Sequence, residues 1–102
     1  MAITFTRQTR AAPGKQLEAA QWAAEVAKYV TGLGNGELHA HVARFGDISQ
    51  IGWSTTAASL AELEDRQAKT QADAGYQKMV ADVQAQGLFD GSITDQVWQQ
   101  LA

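Results

Sequence analysis

Cysteine is absent from the 102 residues, which removes disulfides, thiolate nucleophiles, Cys-ligated zinc and iron–sulfur clusters from the chemistry the chain can supply. Basic residues are scarce: 8 Lys and Arg stand against 11 Asp and Glu, for a formal charge of -3. That sign opposes a phosphate-tracking surface, so nucleic acid is not an expected partner. The first residues, Met1-Ala2-Ile3-Thr4-Phe5-Thr6-Arg7, lack both a basic stretch and an apolar stretch, so neither a secretory signal nor a membrane span is expected there. The expectation is a soluble, cytoplasmic protein with no membrane partner. Gly-x-Ser-x-Gly and the zinc-protease histidine pair are missing. Gly32-Leu33-Gly34-Asn35-Gly36 follows a helical stretch, whereas a nucleotide loop follows a strand and opens a helix.

What is present is periodicity. Ile3, Phe5 and Arg7 alternate with Thr4, Thr6 and Gln8, the pattern of a half-buried strand over Ile3 to Arg10. The single proline, Pro13, and Gly14 break it with a turn. Trp22, Val26, Tyr29 and Leu33 then recur at helical spacing with Ala19, Ala23 and Val30 beside them, predicting an amphipathic helix from Gln16 to Val30 that the following glycines end. Alternation returns over Glu37 to Phe45 and over Gln50 to Thr56, a hairpin joined at Gly46-Asp47-Ile48-Ser49. Ser59 and Glu62 have capping-box spacing, each side chain accepting from the other's backbone amide, so a helix begins near Leu60. Asp73 interrupts it and caps a fresh helix with the stripe Tyr76, Met79, Val80 and Val83, and Gly87 stops that helix. Ile93, Val97 and Leu101 predict a last strand within Ser92 to Leu101.

With no repeat and no linker-like segment, residues 1–102 form one domain. Strand, helix, strand, strand, helix, strand is the order of the α+β ferredoxin-like sandwich (βαββαβ), in which both helices cover one face of an antiparallel sheet. The other face is left open. Its candidate residues, which depend on the parity that points to the helices, include aromatic and imidazole side chains, and pairing with a second copy would cover them. A homodimer closing into a barrel is therefore expected.

The run Pro13-Gly14-Lys15 followed by Glu18 and Trp22, the strand His39-Ala40-His41-Val42, Trp53 leading through Ser59-Leu60-Ala61-Glu62-Leu63, and Ala72-Asp73-Ala74-Gly75-Tyr76-Gln77 together resemble the dimeric α+β barrel superfamily, and within it the NIPSNAP-like and antibiotic-biosynthesis-monooxygenase-like proteins. Relatives often carry Asp-Pro-Glu-Tyr where this chain has Asp73-Ala74-Gly75-Tyr76. The resemblance implies the barrel-forming fold. Its activities include cofactor-independent oxygenation of aromatic compounds, haem degradation and isomerisation, alongside proteins of no assigned activity. The haem-degrading members use a helix-borne histidine, and no histidine falls on a predicted helix here, so that mechanism does not transfer. No cofactor and no metal site is expected.

The candidate catalytic residues are His39, His41 and Arg44. The two histidines share a strand face, where they serve as a base for oxygenation or as hydrogen-bonded groups at a sheet or dimer interface. Arg44, or Arg7, would stabilise a substrate anion or else pair with Glu37, Asp47 or a partner's carboxylate. Phe5, Trp22, Tyr29, Phe45, Trp53 and Tyr76 are the candidate ligand-binding residues, lining an apolar cavity between sheet and helices, with core packing as the competing account. The functional expectation is a monooxygenase-like enzyme acting on a planar apolar or aromatic substrate; the alternative is a non-catalytic dimeric ligand-binding or interaction protein.

Overall fold

A computed structural model describes residues 2–101. Its elements are β1 (Ile3–Arg10), α1 (Gln16–Gly32), β2 (His39–Val42), β3 (Gln50–Ala57), α2 (Leu60–Ala72), α3 (Ala74–Gln86) and β4 (Thr94–Gln99). The strands form one antiparallel sheet in the order β2-β3-β1-β4. This is the α+β ferredoxin-like arrangement that the periodicities predict, with the second helix broken in two. No helix among the described residues is long and apolar enough to cross a membrane.

The break between α2 and α3 has a local cause at Asp73. Its backbone leaves the helical region (φ -74°, ψ 125°), its amide closes α2 on the Thr70 carbonyl, and its carboxylate opens α3 by accepting the Tyr76 amide at 2.9 Å. One aspartate thus satisfies orphan groups of two helix ends. At the start of α2, Ser59 Oγ accepts the Glu62 amide at 3.2 Å as expected. Glu62, however, reaches past Ser59 and accepts the amide of Ala58 at 2.8 Å.

Helix α1 buries Ala19, Ala23, Val26, Ala27 and Val30. The alanines let its backbone lie close to the sheet, close enough for the Trp53 indole to donate to the Ala23 carbonyl at 3.1 Å. The core cluster joins these residues to Ala11, Ile51, Trp53, Val83 and Leu88. The β1–β3 register pairs Arg7 with Trp53, Phe5 with Thr55 and Thr9 with Ile51, so these residues share the helix-facing side. Thr4, Thr6, Gln8, Ser54 and Thr56 take the opposite side, where β4 adds Gln96 and Trp98. The open face thus carries hydroxyls, amides and Trp98, together with His39 and His41 of β2, while Phe5 and Trp53 take the parity turned to the helices.

Strand β2 is shorter than its alternation. It pairs with β3 from His39↔Ser54 to Val42↔Ile51, then the chain turns at Asp47, whose carboxylate accepts the Ser49 amide at 3.0 Å. Arg44 and Phe45 consequently lie in the turn. At the same end of the sheet, Arg10 pairs with Asp47 at 2.9 Å and approaches Asp90 at 4.0 Å. The Asp90 amide donates to the Arg10 carbonyl, and the Ala12 amide to the Leu88 carbonyl, which fastens residues 88–90 to the end of β1.

Helices α1 and α2 pack on β2 and β3, so every residue of β4 is exposed. The Arg7 guanidinium reinforces β4 with two bonds to Asp95, at 2.8 and 2.9 Å.

A Cβ at Gly75 would collide with the hydroxyl of Tyr29 and fall 2.7 Å from its Cζ. Gly75→Ala should destabilise the protein by roughly 1–3 kcal/mol in urea unfolding. Adding Tyr29→Ala should make the double variant lose less than the sum of the singles; strict additivity would show that the two side chains do not compete for space.

Candidate functional site

A cavity of about 420 Å³ lies between the helix-facing side of the sheet and the three helices. Its volume falls within the usual range for small-molecule sites. Trp22, Trp53 and Phe89 form one aromatic wall: Trp22 meets Trp53 edge-on at 6.1 Å between ring centroids and Phe89 at 5.6 Å. Phe5 and Tyr76 also line the cavity, with Val80 and Val83 supplied by α3. Such edge-to-face clusters leave flat ring faces available to a planar guest.

Two guanidinium groups, those of Arg7 and Arg66, reach this lining. Arg7 lies 5.8 Å from the centroid of Phe5, its same-face neighbour two residues back. The hydrogen bond to Asp95 raises its pKa, half-burial opposes that rise, and the charges of Asp95 and Tyr76 add to it. Arg7 therefore stays a cation, with the Tyr76 phenol near enough to feel it. Arg66 donates from Nη1 to the Thr56 carbonyl at 2.8 Å and from Nη2 to Glu62 Oε1. The remaining polar lining is neutral, including Asn35, Gln67, Thr70 and Gln71.

The structure thus brings together Phe5, Trp22, Trp53 and Tyr76 from the candidate ligand set. Tyr29 is elsewhere. Its hydroxyl donates to Asp73 at 2.6 Å, a bond that raises the tyrosine's pKa and, with the Tyr76 amide, lowers that of the carboxyl. Phe45 is 93% exposed in the β2–β3 turn, and Arg44 is exposed beside it. His39 and His41 project from the opposite side of the sheet, as their pairing with Ser54 and Gly52 requires. His41 Nε2 is 2.7 Å from Ser54 Oγ, and His39 Nε2 is 3.5 Å from Glu37. The sheet itself separates both imidazoles from the aromatic cavity, so they do not form one site with it. No group of three His, Cys, Asp or Glu able to hold a metal occurs among the described residues.

Phe89 and Arg66 were not singled out by the sequence. Phe89 carries a weak signal, an apolar Leu88-Phe89 pair between Gly87 and Asp90, which is more than a solvated turn needs. Arg66 carries none, because an i,i+4 partner of Glu62 looks like any exposed helical ion pair.

No protein-family model matches the chain, and no curated protein matches it. Solved structures do. A NIPSNAP family protein from Agrobacterium tumefaciens superposes with a TM-score of 0.83 at 22% identity, over 99% of this chain and 94% of that one. An uncharacterised NIPSNAP-like domain protein from Burkholderia xenovorans gives 0.83 at 18%, over 99% and 86%. The chain has the fold of these NIPSNAP structures. A Bacteroides thetaiotaomicron protein of unknown function, described as a possible oxidoreductase, superposes with a TM-score of 0.69 at 11% identity, over 97% of each chain. At these identities the NIPSNAP-like likeness is one of fold, and the chemistry has to be argued from this chain's own cavity.

The Arg7–Asp95 pair gives a pH signature. Asp95 has its pKa lowered from 3.8, chiefly by the hydrogen bond from Arg7. On acidification the unfolded chain takes up this proton first, so the pair's stabilisation is full above the ordinary value and is lost as pH falls through the lower folded one. Urea unfolding between pH 6 and pH 3, a window of about three units around that value, should show falling stability, with a shallower slope in Asp95→Asn. Equal slopes would remove the pair from the acid response.

Proposed function

We propose that the chain binds one small, planar, largely apolar or aromatic molecule between its sheet and its helices. The aromatic wall of Trp22, Trp53 and Phe89 on a cavity of about 420 Å³ carries this reading. A chain this short gains stability by filling its interior. Keeping such a space, with rings along one wall and cations at its lining, suits a guest better than a core. The test is direct, because two of the three tryptophans, Trp22 and Trp53, line the cavity. In a Trp98→Phe background, planar two-ring compounds should quench the remaining emission and raise the melting temperature. Val80→Trp, which fills the space from α3, should abolish both effects while the protein stays folded; undiminished quenching would place the ligand elsewhere.

A monooxygenase-like conversion of that guest is the second reading. Tyr76 and Arg7 favour it, since a phenolic O–H and a fixed cation share the lining and both donate to a substrate that must become an anion. No imidazole or carboxylate belongs to the described lining, so Tyr76 stands there in place of the histidines that were expected. Incubation of a bound compound under oxygen separates the readings: a product carrying one more oxygen atom supports the enzyme, and unchanged compound supports a binding protein.

We also infer a homodimer formed through the open sheet face. Its support is the absence of any helix on that side together with Trp98, 57% exposed on β4. Native mass spectrometry should show a dimer that Thr6→Arg, a charge at the middle of this face, shifts to monomer. A monomeric parent protein would end this inference.

A further inference from the structure

We propose that the cavity selects an aromatic anion, with Arg7 and Arg66 as its paired binding cations. The inference rests on the ligand-binding reading above and adds the charge of the ligand. The cavity lining includes two arginines, Arg7 and Arg66, while Asp95 and Glu62, which pair with them, lie outside the lining. Every other polar lining residue is uncharged apart from the ionisable Tyr76. The charged residues of the lining are therefore both arginines, in a molecule whose formal charge is -3.

Both cations are held in place before any ligand arrives. Arg7 is fixed through Nε and Nη2 by Asp95, which leaves Nη1 outside the ion pair. Arg66 is fixed by the Thr56 carbonyl and Glu62. Its guanidinium also sits beside Gly36, where a Cβ would come 2.6 Å from Nη1. A guanidinium carries five N–H donors, and two are engaged in the named bonds of each arginine, so each retains donors for a second acceptor. Cations fixed in advance lose little freedom when they bind. Hydrogen bonds from them to a carboxylate or phenolate are charge-assisted and stronger than those to a neutral group. An amine would meet two like charges beside apolar walls.

The experiment uses 2-naphthoate and its neutral isostere 2-naphthamide, titrated against the Trp98→Phe protein by tryptophan quenching. Naphthoate should bind about tenfold tighter or better, on the scale of one charge-assisted contact. Arg66→Gln and Arg7→Gln should each reduce that preference. Asp95→Asn, which removes the carboxylate charge facing Arg7 while an amide oxygen still accepts from it, should tighten naphthoate binding and leave naphthamide unchanged, a result that a merely structural ion pair would not produce. Should Arg7→Gln fail to fold because β4 loses its anchor, Arg66→Gln carries the comparison. Equal binding of the two probes, or a preference that Arg66→Gln leaves undiminished, overturns the selectivity while the binding reading stands. Binding of neither probe, with the Val80→Trp control also silent, overturns both.

Discussion

The indole of Trp53 connects every layer of this molecule. Its ring fills the helix-facing side of β3 beside Arg7 of β1, its N–H reaches a carbonyl inside α1, and its edges meet Trp22 and Phe89. A backbone carbonyl within a helix is reachable only where small side chains allow close approach, which Ala19, Ala23 and Ala27 provide. The same indole then serves as a wall of the cavity. Scaffold and site are one set of contacts here, and a change at this position would act on both.

From that anchoring follows the offset of the helical layer. With α1 and α2 held over β2 and β3, the far side of the sheet is roofed incompletely, and space remains above β1. Arginines enter that space because each can leave its carboxylate partner at the periphery, one on β4 and one on the preceding turn of α2. Neutral amides and hydroxyls complete the lining, and Tyr76 contributes the remaining ionisable oxygen.

Much of the fold was legible because its signals are local. Period-two alternation located β1 and β3, alanine and apolar spacing located α1, and Asp73 marked the break between α2 and α3. The site was legible only in part. Alternation states that His39 and His41 share a face but does not say which face meets the helices; that parity is set by register with β3, where Trp53 has already taken the inner position. Phe45 continues an alternating pattern past the last paired residue, so pattern alone carried it into a strand that the Asp47 turn ends. Asp95 as the partner of Arg7 lies 88 residues away, a separation at which sequence spacing holds no information. Phe89 enters the aromatic cluster because residues 88–90 are tied to the end of β1, again a non-local cause.

The position of β4 has a consequence for how the molecule comes into being. This strand completes the sheet by pairing with β1, from Ile3↔Gln99 to Gln8↔Thr94, so the earliest strand made must wait for the latest. Contacts of such long sequence separation carry a large loop-closure entropy and slow the search for the native state. During synthesis the hairpin of β2 and β3 can dock on α1 early, while Arg7 remains without its carboxylate until Asp95 has been added. The ion pair of Arg7 at the edge of the cavity is thus among the last features of the protein to mature.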